Sequence, residues 1–134
     1  MSVLVLVVDD EVDVADLFRQ QFRRELRAGL FVMEFAYSAP EALARITRPS
    51  DVSLILLLSD INMPGMTGLE LLPRVREIRP DVPVVMITAY GDADTRARAL
   101  KAGAAGFLTK PIDFKLLREE ITERLNSFQN SASG

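Results

Sequence analysis

A chain of 134 residues, 49% of them hydrophobic, suits one domain with a substantial core and excludes disorder as its ground state. It contains no cysteine and no histidine, which excludes disulfides, thiolate zinc sites, a cysteine nucleophile and the commonest general base. Any metal here must take oxygen ligands, which points to a hard cation such as Mg²⁺, and the net charge of −3 gives no electrostatic case for direct nucleic-acid binding.

Short apolar runs alternate with amphipathic stretches along the chain. Residues 3–8 form an unbroken apolar run with four valines that stops at Asp9 and Asp10, the pattern of a strand buried on both faces of a parallel sheet. Residues 12–28 carry apolar positions at Ala15, Phe18, Phe22 and Leu26, which predicts a helix burying one stripe and ending at Gly29. Residues 30–37 read as a second strand. Ser38 and Glu41 then have capping-box spacing, with Pro40 in the first turn of a short helix to about Arg48.

Residues 52–58 are the third and most apolar strand, ending at Ser59 and Asp60. A loop over 61–67 leads to a helix over 68–79 that contains Pro73, so this helix either starts late or kinks there. Residues 84–88 form a fourth strand, 92–102 a helix closed by Gly103, and 106–109 a fifth strand. The last helix spans about 113–128, with Phe114, Leu117, Ile121, Leu125 and Phe128 on one face. Residues 1–129 are thus expected to form the domain, and the small polar residues 130–134 a flexible tail or the start of a linker. The chain's start lacks the basic region of a secretory signal, and its apolar runs are too short to cross a bilayer, so a soluble cytoplasmic protein is expected.

Five β-α repeats with right-handed crossovers predict an α/β fold, a doubly wound parallel sheet with helices on both faces. Ligands in such sheets bind outside the carboxyl ends of the strands. Here those ends carry Asp9, Asp10 and Glu11 on the first strand, Asp60 on the third, Thr88 on the fourth, and Thr109, Lys110 and Pro111 on the fifth. Converging carboxylates repel unless their pKa values rise or a cation sits among them. Asp9 alone reads equally well as a solvated loop acid or a helix cap. The joint set, with a lysine and a hydroxyl facing the acids, points to a Mg²⁺ site.

These residues resemble the response-regulator receiver family over about residues 3–128. The acidic pair Asp9-Asp10 follows the first strand, and Ser59-Asp60-Ile61-Asn62-Met63-Pro64-Gly65-Met66-Thr67-Gly68 is similar to the family's phosphoacceptor loop. Thr88-Ala89, Phe107 and Lys110-Pro111 match its switch hydroxyl, its switch aromatic and its lysine-proline pair. The resemblance implies the flavodoxin-like strand order 2-1-3-4-5 with five flanking helices, an order that the chemotaxis regulators of this family exemplify. It also implies a cis Lys110-Pro111 bond.

By the same resemblance Asp60 is the nucleophile and takes a phosphoryl group from a phosphohistidine. The donor is a sensor histidine kinase or a histidine phosphotransfer protein. Mg²⁺ binds Asp10, Asp60 and the backbone carbonyl of Asn62, with Asp9 acting mainly through water. Lys110 and Thr88 contact the phosphoryl oxygens. Thr88 and Phe107 switch the face formed by the fourth helix, fifth strand and fifth helix toward a downstream target. Such a domain accepts phosphoryl groups stoichiometrically and is not a conventional enzyme. It works as a monomer or as a phosphorylation-dependent dimer, and touches neither membrane nor nucleic acid directly.

Ala105-Gly106 stands where one large subgroup carries acids that pair across a dimer, which weakens the expectation of that dimer. Tyr90 and Asn62 occupy positions where the family tunes phosphoryl lifetime. A flavodoxin-like cofactor binder would need a phosphate loop after the first strand, where Asp9-Asp10-Glu11 would repel phosphate. An aspartate-nucleophile phosphatase would place its nucleophile there, which Asp9 and Glu11 fit only loosely. A receiver cut from a larger regulator or hybrid kinase is the third alternative.

Overall fold

The computed structural model describes residues 2–89 and 91–133. Its elements are β1 (Val3–Val8), α1 (Val12–Gln21), α2 (Arg23–Arg27), β2 (Val32–Ala36), α3 (Ala39–Thr47), β3 (Ser53–Asp60), α4 (Gly68–Ile78), β4 (Val84–Thr88), α5 (Ala93–Lys101), β5 (Gly106–Thr109) and α6 (Phe114–Ser133). The five strands form one parallel sheet in the order β2-β1-β3-β4-β5. The fold is therefore the doubly wound, flavodoxin-like arrangement that the sequence implied. No described helix is long and apolar enough to cross a membrane.

Strand residues alternate between two cores, one on each face of the sheet. Leu4, Leu6 and Val8 pack with Ala42, Leu71, Leu72, Val75 and Met86 on the side of α3 and α4. Val3, Val5 and Val7 pack with Phe18, Phe22, Leu117 and Ile121 on the side of α1, α2 and α6. The alternation slips once. The β1–β3 register shifts between Leu4 and Val5, which pair with Leu54 and Leu56, and both Ile55 and Leu56 join the second core. This bulge lengthens β3 on the side facing α6.

The single helix expected over 12–28 is divided at Phe22, which has φ −105° and ψ 19°, so among the described residues six helical segments flank the sheet rather than five. The cause lies on α6. Arg118 donates from Nη2 to the Gln21 carbonyl at 2.7 Å and from Nε to Glu25 at 2.6 Å, and its guanidinium lies 5.0 Å from the Phe22 ring centroid. A side chain that takes a helix carbonyl from outside disturbs the turn it enters. Phe22 itself stays fully buried.

Other boundaries follow local chemistry. Gly29 and Gly103 take positive φ after α2 and α5, as helix-ending glycines do. Ser38 accepts from the Glu41 N–H at 3.2 Å, while the Glu41 carboxylate reaches back to the Tyr37 N–H at 2.6 Å. Pro73 lies inside α4 and not at a late start. It is exposed, and the helix continues through it with one internal hydrogen bond fewer. Thr67 and Glu70 form the capping box that starts this helix five residues before the proline. The chain stays helical to Ser133, beyond the expected end near Phe128.

Two tests follow from this packing. A Cβ on Gly68 would overlap the Asp60 carbonyl oxygen and lie 2.7 Å from Met86 Cε and 2.8 Å from Ile61 Cα. Gly68→Ala is therefore expected to destabilise the domain by about 1–3 kcal/mol. A lower denaturant midpoint at unchanged slope would register this, and an unchanged midpoint would refute the close approach.

The second concerns Glu34 on edge strand β2, which accepts from Arg45 of α3 at 2.5 and 3.1 Å. The Arg45 hydrogen bond holds the Glu34 carboxyl below its usual range, with burial opposing. A lowered folded pKa stabilises fully above the unfolded carboxylate value of about 4.3 and ceases to do so as pH falls through the folded value. The pair is partly exposed, so its effect is small. Glu34→Gln should unfold more easily than the parent at neutral pH, with the gap closing in acid. A gap that stays constant across the titration counts against the pair.

Candidate functional site

The chain leaves β1 toward β2 on one side and returns to β3 on the other. The carboxyl ends of β1 and β3 therefore border the crevice where the winding reverses, the usual ligand position in an open α/β sheet. The ladder pairs Val8 with Ser59, so the next residues, Asp9 and Asp60, stand side by side. Asp9 is 7% and Asp60 5% exposed, while Asp10 faces solvent. One carboxylate oxygen from each of Asp9, Asp10 and Asp60 lies within 4.8 Å of the others.

Backbone hydrogen bonds hold this arrangement. The Asp9 N–H donates to the Ala36 carbonyl at 3.0 Å, and Asp9 Oδ1 accepts from the Glu11 N–H at 2.9 Å. Beyond Asp60, the Ile61 N–H donates to the Ile87 carbonyl at 3.0 Å and the Gly68 N–H to the Ile61 carbonyl at 2.8 Å. The loop from Asp60 is thereby tied at both ends. The Ser59 hydroxyl donates to the Asp60 carbonyl at 2.9 Å.

Lys110 comes from the far side. Thr88 pairs with Thr109 across β4 and β5, and the Lys110 N–H continues the ladder to the Thr88 carbonyl at 2.8 Å. The Lys110-Pro111 peptide is cis. Lys110 Nζ lies 3.3 Å from Asp9 Oδ2 and 3.6 Å from Asp60 Oδ2. Thr88 is fully buried, and its hydroxyl accepts from Asn62 Nδ2 at 3.3 Å. Phe107 is half-buried against the core on the α3 and α4 side, its ring edge toward Gly91. Tyr90 lies outside the described residues.

Burial pushes the Asp60 carboxyl upward, and the charge of Asp9 adds to it. Lys110 and a hydrogen bond from the Asn62 backbone oppose them without cancelling. For Lys110, burial works against the charged form, but attraction to Asp9 and Asp60 prevails and its pKa is raised. Two buried carboxylates ~5 Å apart repel by about 3 kcal/mol at an effective dielectric of ~20 before screening. Three carboxylates and one ammonium leave the cluster with a net formal charge of −3 + 1 = −2. That deficit equals the charge of a divalent cation. The donors are all hard oxygen, and the exposed Asp10 leaves an approach from water, so the cluster fits a hard divalent cation on the chemistry of its donors.

The structure thus gathers Asp9, Asp10, Asp60 and Lys110 directly, and Asn62 with Thr88 beside them. Sequence reasoning gave Asn62 a carbonyl ligand role and a place in tuning phosphoryl lifetime, but missed its side-chain amide on Thr88. It also placed Gly68 only as the end of the loop and the start of the helix, and no spacing rule reveals its close fit against the Asp60 backbone.

Comparison with known proteins gives the same arrangement a family. Residues 5–122 match the family model described as the response regulator receiver domain. The chain is 42% identical over 123 residues to the response regulator protein PilR of Pseudomonas aeruginosa, covering 90% of this chain and 25% of that protein. It is 33% identical over 121 residues to the transcriptional regulatory protein ZraR of Salmonella typhimurium, covering 90% and 26%. The chain therefore spans about a quarter of these relatives' length. A solved CheY-like receiver domain protein from Methanospirillum hungatei superposes with a TM-score of 0.82 at 30% identity, covering 98% of this chain and 99% of that one. With a matching fold, strand order and family model, this chain belongs to the response regulator receiver domain family of two-component signalling systems.

Proposed function

We propose that the chain is a phosphoacceptor whose nucleophile is Asp60. The observation that carries this reading is the buried Asp60 carboxylate at the winding reversal, within reach of Lys110 and in a cluster two charges short of neutrality. An Asp60 carboxylate oxygen attacks the phosphorus of a phosphohistidine on a sensor kinase or phosphotransfer protein. The phosphorus–nitrogen bond breaks as the oxygen–phosphorus bond forms, and the departing imidazole keeps the electron pair and is protonated from solvent. The donor histidine belongs to the partner, consistent with a chain that has none.

Such transfer depends on positioning and charge neutralisation more than on acid-base chemistry. Lys110 holds positive charge at the phosphoryl oxygens, and the Thr88 hydroxyl donates to one of them after leaving Asn62. Asp10, Asp60 and the Asn62 carbonyl would hold Mg²⁺, with Asp9 acting through water, and the ion would supply further neutralising charge. Movement of Thr88 opens space for Phe107, and the surface of α5, β5 and α6 changes for a downstream partner. The chain is a signalling domain working in the cytoplasm, as a monomer or a phosphorylation-dependent dimer, not an enzyme of many turnovers.

A second reading concerns context. PilR and ZraR are about four times longer than the matched region, which favours a receiver that serves a larger regulator. A 14.6 kDa protein from Leptolyngbya boryana, 79% covered at 39% identity, favours a receiver acting by itself. Either context leaves the chemistry of Asp60 unchanged.

Incubation with acetyl phosphate and Mg²⁺ should add one phosphoryl group by intact-mass spectrometry, and Asp60→Asn or excess EDTA should abolish it. Labelling that survives Asp60→Asn would sink the assignment. Asp10→Ala removes an exposed ligand and should leave folding intact while weakening Mg²⁺ binding by at least about tenfold, since a small carboxylate site loses one of few protein ligands. Calorimetric titration reads this directly, and an unchanged Mg²⁺ affinity would remove Asp10 from the site.

A further inference from the structure

The chain between β4 and α5 makes a contact that the phosphoacceptor reading does not require. Gly91 stands three residues after Thr88 and directly before Asp92, whose carboxylate caps α5 by accepting from the Thr95 N–H at 2.7 Å. Gly91 is not among the positive-φ glycines, so its backbone is one that other residues adopt. What glycine supplies is space. A Cβ at position 91 would overlap Thr109 Cγ2, with Thr109 Cβ at 3.4 Å and Phe107 Cε1 at 4.0 Å.

Thr109 is the last residue of β5, pairs with Thr88 and immediately precedes Lys110. Gly91 therefore lies against the end of β5, on Thr109, directly before the residue that caps α5. The helix beyond packs on β5 but is lightly anchored, because Ala99 is its one buried residue. A small alanine surface contributes little hydrophobic anchorage. The contact of Gly91 with Thr109 is thus one of the few constraints on where α5 begins relative to the strand that presents Lys110.

We propose that Gly91 and Thr109 are a positioning pair, whose direct contact sets the spacing between the Thr88 end of β4, Lys110 and α5. The inference rests on Asp60 as phosphoacceptor and deepens that reading. A side chain at position 91 lifts the loop or displaces Thr109, and a shift of about 1 Å in groups that must meet a phosphoryl oxygen costs on the order of tenfold to a hundredfold in rate.

The test is the rate of Asp60 labelling by acetyl phosphate and Mg²⁺ in the parent chain, Gly91→Ala, Thr109→Ser, Thr109→Val and the two double variants. Gly91→Ala should slow labelling about tenfold, with Thr109→Ser alone near the parent rate. Adding Thr109→Ser to Gly91→Ala removes the obstructing methyl and should restore most of the rate. Adding Thr109→Val keeps a methyl there and should not. General loosening of the fold would not separate serine from valine in this way.

A parent-like rate in Gly91→Ala, or equal rates in the two double variants, overturns the inference. So does a loss of cooperative thermal unfolding in Gly91→Ala that Thr109→Ser leaves unrepaired, because a contact at the rim does not hold a core. Absence of labelling in the parent chain refutes the role of Asp60 and removes the inference with it. Labelling that requires Asp60 but ignores position 91 refutes the inference alone.

Discussion

Mutual repulsion between Asp9 and Asp60 is the constraint on which the rest of this structure turns. Register forces it, because Val8 opposite Ser59 leaves the two acids no alternative to being neighbours. Neither can escape to water, since both are almost completely buried. A protein selected for stability alone would gain from replacing one of them. The fold instead holds them with backbone donors and places the Lys110 ammonium within reach of both, one positive charge against three carboxylates. A site kept short of neutrality is one whose energy changes sharply when a cation or a phosphoryl group arrives.

The two sides of the sheet resist such a change unequally. On one side Phe18, Phe22, Phe31, Phe35 and Phe114 form a connected set of ring contacts with centroids 5.5–6.3 Å apart. Arg118 fastens α6 to α2 at the end of that cluster. Aromatic contacts of this kind, three of the five rings being buried, carry large areas and preferred geometries, so moving α1 or α6 disturbs many interactions together. The other side carries α5, which has one buried alanine and is otherwise held by its cap and its loops.

How far the sequence discloses all this depends on whether a feature leaves a pattern. Strands β1, β4 and β5 were legible because polar residues, proline or glycine bound their apolar runs, and the site because its acids, hydroxyl and lysine all fall at strand ends. The division of the first helix was hidden, since Phe22 keeps the apolar spacing from Phe18 to Leu26 while its disturbance comes from Arg118, distant in sequence. The bulge at Ile55 was hidden for a different reason. Every neighbour in the run from Leu54 to Leu58 is apolar, so no alternation marks which face a residue takes. The close fits at Gly68 and Gly91 depend on atoms of other elements, and a glycine in a loop looks the same whether it provides a turn or a clearance.

These asymmetries give the site a direction. Strain introduced at the carboxyl ends of β3 and β4 relaxes along the path where the least packing must be broken. Toward α6 that path meets the aromatic cluster and the Arg118 bonds. Toward α5 it meets the Asn62 to Thr88 hydrogen bond, the half-buried Phe107 and a loop seated on Thr109. A single neutral hydrogen bond contributes about 1 kcal/mol net, far less than a cluster of buried rings. The α5 side is therefore the more lightly packed of the two faces bordering Asp60 and Thr88.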